Sequence, residues 1–243
     1  MNFTHRPFLL LLIFVGITIN TIAQQKSLFL DSVPYSCASS FNVSLRTKNI
    51  SKTVGLQGTI RWDTAIVKYN GISYGNSAIL FSGSNMNLTQ TNNGFLNYIW
   101  FDDNLVGKST TDSTVLFTIA FTRNGIGKGK ATVSFSSSPT SLEIDTLKID
   151  GTPIKDQNAL FKNGVIVTPY IYTFNGSGNW NNPANWSNGM IPPLTLPICS
   201  EINIDPITNS ECILNVTQNI AAGAKLTVKS NKKFKIPGVL TIH

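Results

Sequence analysis

The sequence predicts an all-β protein built on a β-sandwich of nine short strands. Apolar side chains recur with a period of two, as in VGLQGTIRW (54–62), where apolar and polar residues alternate between two faces. Turn signals such as Asn70-Gly71 and Asn163-Gly164 separate these stretches at short intervals. No stretch shows a convincing helical period. Half-buried strands of this kind are stable when two sheets bury their inner faces against each other.

The individual strands follow from this alternation and from the turns that bound it. Residues 115–122 (VLFTIAFT) and 130–136 (KATVSFS) alternate in the same way as 54–62. Trp62 and Trp100 lie in the inward register of their strands, which predicts that both rings pack in the core. The strands are expected near residues 27–33, 40–47, 54–62, 66–72, 77–82, 94–101, 114–123, 129–137 and 159–168.

The first 23 residues have the features of a secretory signal peptide. His5 and Arg6 are cationic, an apolar run extends from Phe8 to Ile19, and Ala23 is a small residue at the expected cleavage site. No later stretch approaches the roughly 20 apolar residues of a membrane-spanning helix. We therefore expect a secreted protein, extracellular or at the cell surface, without a membrane span. Its predicted parts are residues 1–23, a sandwich at 24–169 and a second β-rich module at 170–243.

The composition limits the partners. Charged residues make up 13% of the chain, against about 25% in an average soluble domain. The chain lacks a nucleic-acid-binding motif, so nucleic acid is not an expected partner. Its basic excess indicates either a solvated strand face that discourages edge pairing or a contact with an acidic glycan or anionic surface. Much of that excess lies at Lys225, Lys229, Lys232, Lys233 and Lys235.

The three cysteines of an exported chain predict one disulfide. Cys199 and Cys212 flank the turn-rich stretch DPITNSE, so we expect them to face each other across two neighbouring strands and to form the bond. Cys37 is then a buried free thiol. Metal binding by these residues is not expected, because the mature chain has no histidine except His243.

The sequence does not predict an enzyme. The shortage of histidine excludes Ser/His/Asp and Cys/His catalysis. Glu143 and Asp145 share one face of their segment, but we interpret them as solvated carboxylates rather than as a glycosidase pair. No cofactor is expected; calcium is an open alternative, with loop oxygen ligands from Asp145, Asp150 and Asp156.

Four segments in order resemble a cohesin domain over about residues 26–168: GLQGTIRWDTAIVKYNGI, NGFLNYIWFDD, STVLFTIAFTRNGIGKGKATVSF and ALFKNGVIVT. The resemblance includes the Trp62-Asp63 step, the tip of strand six at Asp102 and Asp103, and a Gly-rich hairpin between strands seven and eight. It implies a nine-strand jelly-roll sandwich, similar in fold to carbohydrate-binding modules, that binds dockerin modules in extracellular polysaccharide-degrading assemblies. The Asn/Ser/Thr-rich loop at 83–93 departs from the family.

The resemblance also implies a partner-binding face on one sheet. Strand six alternates between an inward row that ends on Trp100 and an outward row that holds Ile99 and Phe101. Two exposed large apolar side chains on one strand often mark an interface, although a loop or the second module could instead cover them. The implied face consists of Gln57, Thr59, Arg61, Asn97, Ile99, Thr132 and Ser134.

The second module has a different rhythm. The triplets LTV (226–228), FKI (234–236) and LTI (240–242) resemble the first rungs of a β-solenoid, or the small β-modules of secreted Bacteroidota proteins. Stacked rungs need neighbours, so either the sandwich supplies partner strands or the natural chain is longer. Trp180 and Trp186 lie six residues apart in GSGNWNNPANWSNGMIPP. Their rings either clamp the fold or form a platform for sugar.

The leading hypothesis is a secreted, non-catalytic binding protein whose cohesin-like module takes a dockerin-type protein or a polysaccharide as its partner. The alternative is a structural adhesin or surface-stalk fragment without a glycan ligand.

Overall fold

A computed structural model describes residues 24–124, 129–187 and 189–243. The predicted signal peptide and part of the Gly-rich hairpin lie outside these residues. Within the described ranges, no helix is long and apolar enough to span a bilayer.

The first part of the chain is a β-sandwich, which confirms the predicted all-β class. Its strands are β1 (Ser27–Leu30), β2 (Ser40–Lys48), β3 (Thr53–Arg61), β4 (Val67–Tyr74), β5 (Met86–Asn87), β6 (Phe95–Phe101), β7 (Val115–Arg123), β8 (Lys130–Ser136), β9 (Glu143–Leu147), β10 (Pro153–Lys155), β11 (Leu160–Lys162) and β12 (Gly164–Val167). One sheet has the order β11-β1-β2-β7-β4. The other has the order β10-β9-β3-β6-β5, with β8 beside β3 and β12 beside β8.

The structure differs from the predicted strands in several places, and the short β5 lies outside all of them. Residues 77–82 form no strand, although Ile79 and Phe81 are buried, so their alternation reflects core packing without strand pairing. Strands β9 and β10 were not predicted. The expected strand at 159–168 is divided at Asn163: β11 pairs with β1 in one sheet, whereas β12 pairs with β8 in the other. The chain crosses between sheets there, a change that a period of two does not reveal.

The core lies between the two sheets. Trp62 and Trp100 are each only 6% exposed, which confirms their predicted core positions. Tyr98 is buried opposite Gly58, and a Cβ at Gly58 would lie 2.7 Å from the Tyr98 hydroxyl oxygen, so this position requires glycine. Burial raises the pKa of Tyr98. The Phe81 ring packs edge-on against Phe117, with centroids 5.3 Å apart.

Residues 170–243 form three parallel sheets of three strands each. The strands are β13 (Ile171–Phe174), β14 (Gly178–Asn179), β15 (Thr195–Leu196), β16 (Glu201–Ile204), β17 (Glu211–Ile213), β18 (Thr217–Ile220), β19 (Lys225–Val228), β20 (Lys233–Lys235) and β21 (Val239–Ile242). The sheets are β13-β16-β19, β14-β17-β20 and β15-β18-β21. The chain therefore makes three successive turns, each of which contributes one strand to every sheet. We call this part the three-turn stack.

Ion pairs join the second and third turns of this stack. Three ammonium groups reach carboxylates of the preceding turn, at N–O distances of 3.9, 2.9 and 2.8 Å for Lys225–Glu201, Lys232–Asp205 and Lys235–Glu211. Exposed pairs of this kind contribute about 0–1 kcal/mol each. The lysines that carry much of the basic excess thus lie on β19, on β20 and in the turn between them, and three of them are partly neutralised by the neighbouring turn.

The predicted Cys199–Cys212 disulfide is wrong. Cys37 and Cys199 form the bond, with their Cα atoms 5.9 Å apart, and it joins the sandwich to the three-turn stack. Cys212 lies in β17, where it is buried and free. The turn-rich stretch between Cys199 and Cys212 does not close a hairpin: β16 and β17, on either side of it, belong to different parallel sheets.

The same junction carries polar contacts. The Tyr35 hydroxyl donates to the Ile198 carbonyl oxygen, and its oxygen lies 3.0 Å from the Ser200 Oγ. Tyr35 and Cys37 therefore fasten one short segment of the sandwich to the start of the second turn.

We expect alkylation to distinguish the three cysteines. Iodoacetamide should label none in the native protein, because burial raises the pKa of the Cys212 thiol to about 12. Denaturation without reductant should expose Cys212 alone, and reduction should expose all three. Peptide mass spectrometry reads out each state; a Cys199–Cys212 cross-linked peptide would contradict the structure.

Candidate functional site

The candidate recognition surface is the side of β3, β6, β8 and β9 that points away from the core, and we call it the outer face. Cross-strand pairing places Gln57 opposite Ile99 and Thr59 opposite Asn97. Ser134 lies opposite Arg61, at the other end of β3. The pairings thus bring Gln57, Thr59, Arg61, Asn97, Ile99 and Ser134 to neighbouring positions, with Thr132 exposed two residues beyond Ser134.

Several of these residues already have partners within the fold. Thr59 is fully buried: its hydroxyl donates to the Asn97 Oδ1 at 2.9 Å, and its oxygen accepts from the Thr140 backbone N at 3.0 Å. Arg61 donates to the Ser138 carbonyl at 2.8 Å and stacks over the Phe95 ring at 4.5 Å. The prediction that Thr59 meets a partner is therefore wrong, because the segment after β8 covers it.

Exposed apolar side chains occupy the end of β6. Ile99 is 41% exposed and Phe101 is 54% exposed. Phe101 lies opposite Gly55, which has no side chain to cover the ring. The loop that follows β6 also exposes Leu105 and Val106. We call Ile99 and Phe101 the apolar pair.

A buried carboxylate organises the loop after the apolar pair. Asp102 is 4% exposed, and its Oδ2 accepts from the backbone N of Val106 at 3.1 Å and of Gly107 at 2.8 Å. Lys108 lies 3.8 Å from the other carboxylate oxygen. Asp103, the next residue, is exposed. Sequence reasoning missed this structural role of Asp102, although a buried acid that accepts backbone N–H bonds is a common loop anchor.

Two carboxylates flank the apolar pair on β9. Glu143 lies opposite Gln57, and Asp145 lies opposite Gly55, so the two share the outer face. Hydrogen bonds from Ser141 and Lys155 lower the pKa of Glu143. Burial, followed by repulsion from Glu143, raises the pKa of Asp145. Of these two carboxylates, Asp145 is therefore the one that a proton, or a cation supplied by a partner, would stabilise.

The three candidate calcium ligands do not come together. Asp150 accepts from the backbone N and hydroxyl of Thr152 in its own turn, at 2.9 and 2.6 Å. Asp156 forms an ion pair with Lys26 at 3.5 Å. Throughout the described ranges, no three His, Cys, Asp or Glu side chains cluster as metal ligands.

The two tryptophans of the three-turn stack clamp the fold, which is the first of the two alternatives that the sequence left open. Trp180 is 0% and Trp186 3% exposed. The Trp186 Nε1 donates to the Trp180 carbonyl oxygen at 2.7 Å, and the two rings meet edge-on with centroids 4.8 Å apart. A short 3₁₀ turn, Pro183–Asn185, folds the loop back so that both rings face the core. Neither ring surface is available to stack on a sugar.

Comparisons with known proteins give a match only among solved structures. No protein-family model matches the chain, and no curated protein matches it. The seventh ScaB type I cohesin from Pseudobacteroides cellulosolvens has a TM-score of 0.48 at 14% identity, covering 60% of this chain and 93% of that one. The sixth cohesin of scaffoldin B from Acetivibrio cellulolyticus, solved with a Cel5 dockerin mutant, has a TM-score of 0.44 at 21% identity, covering 58% and 97%. A non-cellulosomal cohesin from the archaeon Archaeoglobus fulgidus has a TM-score of 0.40 at 14% identity, covering 59% and 91%.

Replacing Trp186 with Ala should destabilise the three-turn stack by about 3–5 kcal/mol, because it removes a buried ring and its hydrogen bond. Denaturant unfolding followed by circular dichroism measures the change. The exposed neighbour Ser187→Ala is the control, expected to remain within about 0.5 kcal/mol of the wild type. A Trp186→Ala protein of wild-type stability that had lost retention on polysaccharide would restore the platform interpretation.

Asp145→Asn should raise the melting temperature at neutral pH. The raised pKa of Asp145 means that its ionised form opposes folding, so stability is lost as the pH rises through that pKa. The difference between variant and wild type should therefore shrink as the pH falls towards the ordinary Asp value of 3.8. Calorimetry across this range measures it. Asp150→Asn is the matched control: hydrogen bonds from Thr152 lower the Asp150 pKa, so its replacement should not stabilise.

Proposed function

We propose that this chain is a secreted, non-catalytic binding module whose sandwich takes a dockerin-type protein as partner through the outer face. The observation that carries the proposal is the apolar pair: Ile99 and Phe101 are exposed on a regular strand whose intervening residue, Trp100, is buried in the core. The strand is held from beneath, so the pair presents a rigid surface. The order of segments that resembles a cohesin supports dockerin as the occupant.

The energetics of the apolar pair suit a protein interface. Burying exposed apolar surface contributes about 25 cal/mol per Å² before the costs of association. Large side chains at the centre of an interface contribute most when polar groups around them exclude water. On the outer face, Gln57 and Asn97 supply amides beside the apolar pair, and Asp145 supplies a carboxylate that a cationic partner group would stabilise.

Two acidic residues near this face have structural roles. Glu143 is engaged by Ser141 and Lys155, at 2.9 and 3.1 Å, and Asp102 anchors a loop. These carboxylates have structural partners, and the mature sequence has no histidine before His243 to act as a general base. We therefore propose recognition without catalysis.

For residues 170–243 we propose the role of a solenoid-like spacer that is fixed to the sandwich. Parallel turns stacked in register form a stiff element, and the Cys37–Cys199 bond holds its start against the sandwich. A disulfide between two modules also supports export, because such bonds persist in oxidising compartments. In this proposal the second module acts as the stalk, and the sandwich acts as the binding module.

Phe101→Asp and Ile99→Asp should each weaken binding of a dockerin-bearing protein by more than about 10-fold. Burying an unpaired charge in the interface costs about 1.4 kcal/mol or more of binding free energy, and 1.4 kcal/mol is a factor of about ten in affinity. Leu160→Asp, at an exposed apolar position of β11 in the other sheet, is the matched control. Calorimetric titration of the full chain against dockerin-bearing proteins measures affinity, and circular dichroism establishes folding. The proposal fails if the folded protein binds none of them, or if only the control variant loses binding.

A further inference from the structure

A polar cavity of about 280 Å³ lies at one end of the sandwich, and none of its lining residues belongs to the outer face. It is formed by the turn after β3, the start of β4, the 3₁₀ turn Thr91–Asn93 and the residue that follows β7. Its lining residues are Thr64, Lys68, Tyr69, Thr91, Asn92 and Asn124. The proposed function uses none of them.

The cavity walls are held in place by contacts behind them. The Tyr69 ring stacks on Trp62 with centroids 6.3 Å apart, and Trp62 packs edge-on against Phe121 at 5.2 Å. The Asn124 Nδ2 donates to the Thr64 carbonyl oxygen at 2.7 Å, which joins two walls. The Thr91 hydroxyl donates to the Leu88 carbonyl oxygen at 3.0 Å. A ligand would therefore meet a site that is already formed.

The lining combines groups that recognise a hydroxylated ligand. Asn92 and Asn124 provide amides, Thr64 and Thr91 provide hydroxyls, and Tyr69 provides a half-buried ring with a phenol. Amides and hydroxyls both donate and accept hydrogen bonds, as sugar hydroxyls do. An aromatic ring offers the apolar surface on which a pyranose face packs.

The charge of the cavity favours an anionic ligand. Lys68 is an exposed lysine in the lining, and it forms no ion pair within the described part of the chain. No carboxylate lines the cavity. An ammonium group without a local counter-charge favours an anionic group on the ligand, at short range and in a salt-dependent way.

We propose that this cavity binds a carboxylated sugar residue, of the uronic acid type, as a unit of an acidic polysaccharide. Lys68 pairs with the sugar carboxylate, the amides of Asn92 and Asn124 bind ring hydroxyls, and Tyr69 provides the packing surface. The site is separate from the outer face, so glycan binding and protein binding do not compete for the same residues. It is also distinct from Trp180 and Trp186, whose rings are buried.

Calorimetric titration of the full chain tests the proposal with two probes of matched length, oligogalacturonate and a neutral malto-oligosaccharide. The acidic probe should bind more tightly than the neutral one, and its affinity should fall with added salt. Lys68→Gln should weaken its binding by about 10-fold, the effect of losing one hydrogen bond to a charged group. Adding Asn92→Ala, at an exposed position, to Lys68→Gln should weaken binding of the acidic probe further. Lys162→Gln, which removes an exposed lysine on β11, should bind as the wild type does.

Three results would overturn the assignment. The folded protein could bind neither probe, it could bind both equally, or its affinity for oligogalacturonate could survive Lys68→Gln and Asn92→Ala together. The outcome is separable from that of the proposed function, since Phe101→Asp should leave oligogalacturonate binding unchanged while it weakens binding of the protein partner.

Discussion

The rest of the structure depends on one constraint: the inner rows of two facing sheets must fill a single gap. Tyr98 and Phe117 meet across this gap with ring centroids 5.8 Å apart. Side chains on a strand alternate between faces, so each buried residue determines the direction of its neighbours. The burial of Trp100 thereby turns both Ile99 and Phe101 outward. The apolar pair is therefore exposed because the residue between its two members is buried. Only substitutions of Ile99 and Phe101 themselves would remove this exposed apolar surface.

The second constraint is the attachment of the three-turn stack. Its core around Trp180 is separate from that of the sandwich, so each part buries apolar surface without the other. Contacts at their junction include the Cys37–Cys199 bond, the hydrogen bonds of Tyr35 and the Tyr170 ring, which lies close to Gly129. The disulfide therefore links two parts of the chain whose buried cores are separate.

The two proposed recognition surfaces differ in chemistry because they differ in position. The outer face lies over a regular sheet, where alternate residues present apolar side chains and partly paired carboxylates. The end cavity lies where loops converge, and loops supply amides, hydroxyls and a lysine without the restrictions of strand pairing. A flat apolar surface suits a protein partner, whereas a concave polar one suits a small hydroxylated ligand.

The sequence by itself determined the properties that depend on neighbours along the chain. The period of two identified the sandwich and the inward tryptophans, and the outward direction of Ile99 followed from the same alternation. The tertiary structure alone decided which segments meet: that Cys37 reaches Cys199, that Thr59 is covered by the segment after β8, and that Trp180 and Trp186 turn into a core. Sequence periodicity reports which side of a strand a residue occupies. Partners across 162 residues of chain are set by how whole sheets and turns pack, which no local pattern encodes.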